Sequence, residues 1–154
     1  MELTSEMLDA LVEAAKVNPR LRQNKDMRTT PADASQRMLN AIEPGSVVPV
    51  HRHPQSTETV TVLRGAVRQS LYAEVDTFDD ACHGLPMGQD AGDVVRRPAL
   101  KLVERFTVEA GSSCPMYIVP AGTWHTTEAL VSGSIIFEAK DGKYGEDGSE
   151  SWEK

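Results

Sequence analysis

The sequence predicts an all-β protein, a sandwich or barrel of short strands with one short α-helix at its N-terminal end. Three observations lead there. Apolar residues recur at every second position from Arg37 onward, glycine, proline and aspartate break those runs every few residues, and helical spacing is confined to one stretch near Met1. A chain of 154 residues with this pattern is expected to form one domain around one substantial core.

The helix is read from "TSEMLDALVEAAK". Thr4 is a good N-cap, and Leu3 and Leu8 are placed to staple the first turn. Met7, Leu8, Leu11, Val12 and Ala15 fall on one face, with Glu6, Asp9 and Glu13 on others. Asn18 stops the helix because the residue before Pro19 is driven out of the α region. The expected organisation is a helical segment over residues 1–19, a barrel over 20–144 and an acidic, frayed tail over 145–154.

Residues 20–40 show no clean period and carry five basic residues against Asp26 and Asp33. They read either as a salt-bridged connector or as a set of guanidinium groups for an anionic ligand. After them come the strand-like runs "MLNAI", "SVVPVHRH", "TETVTVLRG" and "AVRQSLYAEVD". Residues 77–98, rich in glycine, proline and aspartate, are expected to form a long loop, after which strands resume to "GSIIFEAKDG".

Composition narrows the function. A net charge of −7 argues against coating nucleic acid or an anionic membrane. No apolar run approaches the ~20 residues of a membrane span, and the first residues do not read as a secretory signal. Cys82 and Cys114 are too few for a disulfide framework and lack C-x-x-C spacing. The expectation is a cytoplasmic protein with reduced thiols, binding neither nucleic acid nor membrane.

Two of the four histidines, His51 and His53, stand one residue apart in a strand-like run and therefore share a face. Glu58 can return toward them if the chain turns after His53, and His125 follows a Pro-x-Gly turn at Pro120 and Gly122. Three imidazoles and a carboxylate suit Fe, Mn, Ni, Cu or Zn with positions left open for water or a ligand. A lone histidine is more often a surface residue, and His83, in its glycine-rich loop, is read that way. It is the combined spacing that separates the other three from it.

That spacing resembles the cupins. Gly45, five residues, His51, Arg52, His53, four residues, Glu58, six residues, Gly65 fills every position of the first cupin motif. The second motif is matched at Pro120, Gly122 and His125, and departs at Cys114, where glycine is usual, and at Ala129, where asparagine is usual. The resemblance implies a double-stranded β-helix, or jelly-roll barrel, with a metal held by His51, His53, Glu58 and His125. It also implies a homodimer.

"NPRLRQN", "SQRMLNAIEPGS", "HRHPQSTETVTVLRG", "VPAGTWHTTEAL" and "SIIFEAKDGKY" further resemble the WbuC family of cupin-fold metalloproteins. That family lends a setting in bacterial surface polysaccharide (lipopolysaccharide O-antigen) biosynthesis but no reaction. It implies a small-molecule ligand that is a sugar or sugar nucleotide, for whose anionic groups Arg20, Arg22, Arg37 and Arg64 are candidates.

The metal can act as a Lewis acid in an isomerase-like reaction or, as Fe(II), bind O2 in a dioxygenase. The competing reading is a binding or sensing module without turnover. A purely structural metal is disfavoured, because this donor set leaves positions for outside ligands. Tyr72, Tyr117 and Glu128 are candidates by residue type for a general acid or base, and no spacing elevates one of them.

Overall fold

The computed structural model describes residues 2–78, 96–143 and 145–152. Cys82 and His83 lie outside the described residues, as does most of the loop expected over 77–98. Its ends belong instead to strands.

Helix α1 (Ser5–Val17) is capped as its sequence dictates: the Thr4 hydroxyl accepts from the Met7 N–H, and Asn18 leaves the helix with extended geometry. Among the described residues ten strands follow: β1 (Arg22–Asp26), β2 (Ser35–Ile42), β3 (His51–Arg52), β4 (Glu58–Arg64), β5 (Ala66–Phe78), β6 (Arg96–Glu109), β7 (Met116–Val119), β8 (Trp124–Ala129), β9 (Ser134–Asp141) and β10 (Glu150–Ser151). They form two five-stranded sheets, ordered β1-β2-β9-β4-β7 and β10-β3-β8-β5-β6. Every pairing in them is antiparallel. This is the all-β jelly-roll architecture read from the sequence.

The core lies between the sheets, where Ile42, Val60, Val62, Val67, Val108, Tyr117, Val119, Ala129 and Ile136 pack together. A second cluster seats α1 on the outer face of the first sheet, joining Leu8, Leu11, Val12 and Ala15 to Leu39, Ala41 and Ile135. Each large apolar side chain so buried contributes roughly 1.5–3 kcal/mol. β2 and β9 are thus covered on both faces. Leu39 and Ile135 look toward the helix while their neighbours Met38 and Ile136 look into the barrel.

Gly65 makes the corner between β4 and β5. Its φ is +69°, and a Cβ there would lie 2.5 Å from Ser134 Oγ and 3.0 Å from Ser134 Cα. The last glycine of the first motif is therefore needed for both conformation and space.

Two expectations give way to different structure. Residues 20–40 are not a connector: β1 and β2 form an antiparallel pair, Arg22 facing Ile42 and Asp26 facing Met38. β1 escaped detection because "RQNKD" is polar on both faces, as an edge strand can be. Nor is the acidic segment frayed along its length. β10 pairs with β3, Glu150 opposite Arg52 and Ser151 opposite His51, and Trp152 N–H donates to the Val50 carbonyl. Residues 145–152 thus run as a strap past the open end of the barrel. No helix among the described residues is long and apolar enough to cross a membrane.

Candidate metal centre

His51 on β3 lies directly opposite His125 on β8. His53 follows β3, where its carbonyl accepts from the Gly122 N–H of the second motif's turn. From the facing sheet, Glu58 opens β4. The chain does turn after His53 and re-enter as a strand with Glu58 at its head. His51, His53 and His125 each offer a ring nitrogen, and these atoms all lie within 4.8 Å of one another. His53, His125 and Glu58 are buried, and His51 keeps part of its surface on the cavity.

The outer nitrogens decide which atoms face inward. His51 Nδ1 is 2.9 Å from the Pro49 carbonyl oxygen and His125 Nδ1 is 2.9 Å from the Thr123 carbonyl oxygen. A carbonyl can only accept, so both Nδ1 atoms carry the proton and both Nε2 atoms of the neutral rings are bare. His53 Nδ1 is 2.7 Å from Ser149 Oγ, and that hydroxyl donates to Asp147 Oδ2 at 2.7 Å. The strap therefore orients the third ring through a hydroxyl and a carboxylate, residues that no sequence motif singled out.

Toward the inside, His125 Nε2 lies 3.3 Å from Glu58 Oε2, and His53 Nε2 lies 3.4 Å from Glu58 Oε1. His125 Nε2 is nevertheless a buried polar atom with no hydrogen-bond partner, the 3.3 Å approach lacking hydrogen-bond geometry. Burial pushes the Glu58 carboxyl up, but hydrogen bonds from the His125 and His53 rings, which they can donate only when a proton sits on the nitrogen facing Glu58, and the Lys140 charge outweigh that and hold it below the usual carboxylate range. Burial, and then the neighbouring His125, push His51 down to about 4.

Lys140 enters from β9, where it faces Glu58 across the β4–β9 ladder. Its Nζ is 3.0 Å from His53 Nε2 and 3.2 Å from His53 Nδ1, near-equal distances that put it against the ring rather than along either lone pair. It also stands 3.4 Å from both Glu58 Oε1 and Asp147 Oδ2. Burial raises Asp147, but hydrogen bonds from Ser149 and Gln36 and the Lys140 charge bring it down to about 2. Two residues earlier on β9, Glu138 also faces inward; burial, and then the Glu58 charge, hold its carboxyl above the usual range.

Two connected cavities meet at this cluster, sharing Arg22, Gln36, Val48, His51 and Lys140 as walls. The inner chamber, about 270 Å³, is also bounded by Asn24, Asn40, Glu58, His125, Thr127 and Glu138. The mouth, about 460 Å³, is bounded by His53 and by Gly145, Asp147, Ser149 and Ser151 of the strap.

Of the four arginines singled out by charge, Arg22 alone lines these cavities, its guanidinium donating to the Val47 carbonyl. Arg37 pairs with Asp33 on the surface, Arg64 pairs with Asp9 of α1, and Arg20 is exposed. Tyr117 is committed to the core, donating to Gln69 Oε1 at 2.9 Å. Glu128 pairs with Arg68 on the outside, and Tyr72 lies on β5 opposite Trp124, outside the walls of both cavities. Cys114 is free and exposed.

No curated protein matches the chain by sequence. Among solved structures it is similar to an oxalate oxidase (15% identity, TM-score 0.53), covering 87% of this chain and 56% of that one. It is similar to the oxalate decarboxylase of Bacillus subtilis (14% identity, TM-score 0.51), covering 85% of this chain and 28% of that one. The cupin domain of Schizosaccharomyces pombe Cnp3 matches at 9% identity and TM-score 0.50, covering 80% of this chain and 66% of that domain. The chain thus spans little more than half the length of the oxalate oxidase it matches. At such identities the likeness is one of fold, and the fold is that of the cupins. A family model described as a domain of unknown function, DUF6016, matches residues 3–83, more than half of the sequence. The chain belongs to the DUF6016 family, carried on a cupin barrel.

Proposed function

We propose that this protein binds one divalent transition-metal ion through His51, His53, His125 and Glu58, and that the ion serves a small molecule held in the adjoining chamber. The observation that carries this reading is the orphaned His125 Nε2, buried and 3.3 Å from an acceptor oxygen of Glu58. Bare imidazole nitrogens facing an ionised carboxylate repel one another, and a cation at their common point relieves that. Two ligands held at about 2.1 Å stand at most about 4.2 Å apart, so closing a set whose nitrogens lie within 4.8 Å of one another takes no more than roughly half an ångström of movement. A bound ion would polarise a ligand oxygen or lower the pKa of bound water.

The test is metal content. Purified, metal-loaded protein is expected to hold close to one ion per chain, and His53→Ala to empty the site, since two remaining imidazoles lose a bond and the three-sided arrangement. Full occupancy in His53→Ala would overturn the assignment. Which of Fe, Mn, Ni, Cu or Zn is resident is read in the same elemental analysis.

Glu138 favours turnover over simple binding. It is an acid on the chamber wall outside the proposed donor set, held toward its protonated form, and so able to pass a proton to a bound molecule. A sugar-derived ligand and a polysaccharide setting rest on the resemblance to the WbuC family alone. A homodimer is supported by the exposed Leu102, Val103, Met116 and Ile118 on β6 and β7. Sedimentation at micromolar concentration tests it.

A further inference from the structure

We infer that the metal-loaded chamber takes a ligand bearing a small carboxylate, and that Lys140 is the residue that receives it. The inference rests on the metal reading above and deepens it.

Charge is the first support. Among the described residues, Glu58 and Asp147 are the two carboxylates set against Lys140 and Arg22 along the chamber and mouth, and without an ion these four cancel. A divalent ion on neutral imidazoles leaves a surplus of two positive charges, and a surplus of one even with Glu138 counted as ionised. An enclosed surplus of that sign selects an anion.

The position of Lys140 is the second. Its Nζ is 3.0 Å from His53 Nε2, so an ion at about 2.1 Å from that nitrogen lies within about 5 Å of the ammonium. The ion draws on Glu58, the carboxylate that Lys140 holds at 3.4 Å, and at the same time repels the ammonium. Asp147 remains as its anchor at 3.4 Å. Loading therefore frees one side of a nearly buried ammonium on the shared wall of both cavities, one-tenth of its side chain exposed.

Size is the third. The inner chamber, about 270 Å³, falls below the ~300 Å³ at which drug-sized sites begin, so the group that reaches the ion is small. The amides of Asn24, Gln36 and Asn40 along its wall can bond the remaining oxygens.

The experiment uses Mn2+ first and then simple carboxylates, followed by calorimetry on the whole chain. Wild type and Lys140→Met are titrated with Mn2+ alone; the variant is expected to bind it about tenfold more tightly, because a neighbouring positive charge is gone. Loaded proteins are then titrated with acetate, lactate and pyruvate, and with propane-1,2-diol as the uncharged counterpart of lactate. At least one carboxylate is expected to bind loaded wild type tenfold or more tightly than either the metal-free protein or loaded Lys140→Met. Lys140→Arg is expected to keep most of that affinity. Equal carboxylate binding by wild type and Lys140→Met, diol binding equal to lactate, or no carboxylate binding at all overturns the inference. Failure of wild type to bind Mn2+ or any other tested divalent ion sinks the metal reading itself, a separate result.

Discussion

The inward-facing rows of three adjacent strands change character along their length. On β9 the row runs Ile136, Glu138, Lys140; on β4 it runs Val62, Val60, Glu58; on β2 it runs Ile42, Asn40, Met38, Gln36. Cross-strand register sets Val62 opposite Ile136, Val60 opposite Glu138 and Glu58 opposite Lys140. One end of the barrel is closed by aliphatic packing and the other carries charge. The difference teaches how a small barrel can tolerate a carboxylate and an ammonium that are almost fully buried. The apolar end supplies the stability, and the ladder that crosses it fixes the polar side chains without their own contacts having to fold the chain.

If the two ends divide the work in this way, damage to one should leave the other's signature intact. Ile42 is buried in the core at the aliphatic end of the β2 row. Ile42→Ala is expected to cost about 2–5 kcal/mol, a fall in Tm on the order of 10 °C. Metal affinity of the folded fraction should stay within a factor of about three. A large loss of affinity in that variant would break the comparison, because the ends would then be coupled through the sheet.

The polar end should show itself in acid. His51 is held down to about 4 in the folded metal-free protein, against an ordinary imidazole near 6.5. Between those values the unfolded chain binds a proton that the folded chain refuses, so stability falls as pH drops from about 6.5 toward 4. His51→Asn is expected to flatten that slope by somewhat under one proton, measured by urea unfolding at a series of pH values. An unchanged slope would mean that the ring is not held neutral. Glu58, held below its usual range, works in the next window down: its contribution is lost as pH falls below about 4.5.

The smallest effect expected is at the strap. Ser149→Ala removes the acceptor of His53 Nδ1 and the link to Asp147. Metal affinity should fall by about tenfold, with little change in Tm, since lost outer partners of a ligating imidazole typically cost 10–100-fold. Competition with a chromophoric chelator measures it. No change would sharpen the comparison in the other direction, with the three imidazoles oriented by the sheets alone.

How far the site was legible follows from the same geometry. His51, His53 and Glu58 are read because one strand pair and its turn bring them together within eight positions, and His125 because a Pro-x-Gly turn marks it. Lys140 faces Glu58 across the β4–β9 ladder, 82 positions away in sequence. Nothing in "IIFEAKD" signals which of its residues turns inward, since β9 is covered on both faces and the usual alternation of apolar and polar is erased. Ser149 and Asp147 were hidden for a different reason. They sit in a polar, glycine-bearing stretch whose composition is that of a loose end, and only the pairing of β10 with β3 gives it order. The arginines misled because charge excess says nothing about direction: Arg37 and Arg64 spend theirs on Asp33 and Asp9.

The strap has one further consequence, and it is optical. The chain holds two tryptophans, Trp124 on β8 and Trp152 at the end of the strap, and their rings meet edge to face with centroids 5.1 Å apart. The Arg52 guanidinium lies 4.4 Å from the Trp124 ring centroid, and Arg52 is itself tied to Glu150 of the strap. All indole emission from this protein therefore originates at the seam between strap and barrel, where Ser151 pairs with His51 and the Trp124 indole N–H donates to Glu74. Lifting the strap would separate the two rings and expose Trp124, now 5% exposed, to water, shifting the emission to the red while the aliphatic end stays folded. The molecule carries its own fluorophore pair at the seam that holds the strap to the barrel.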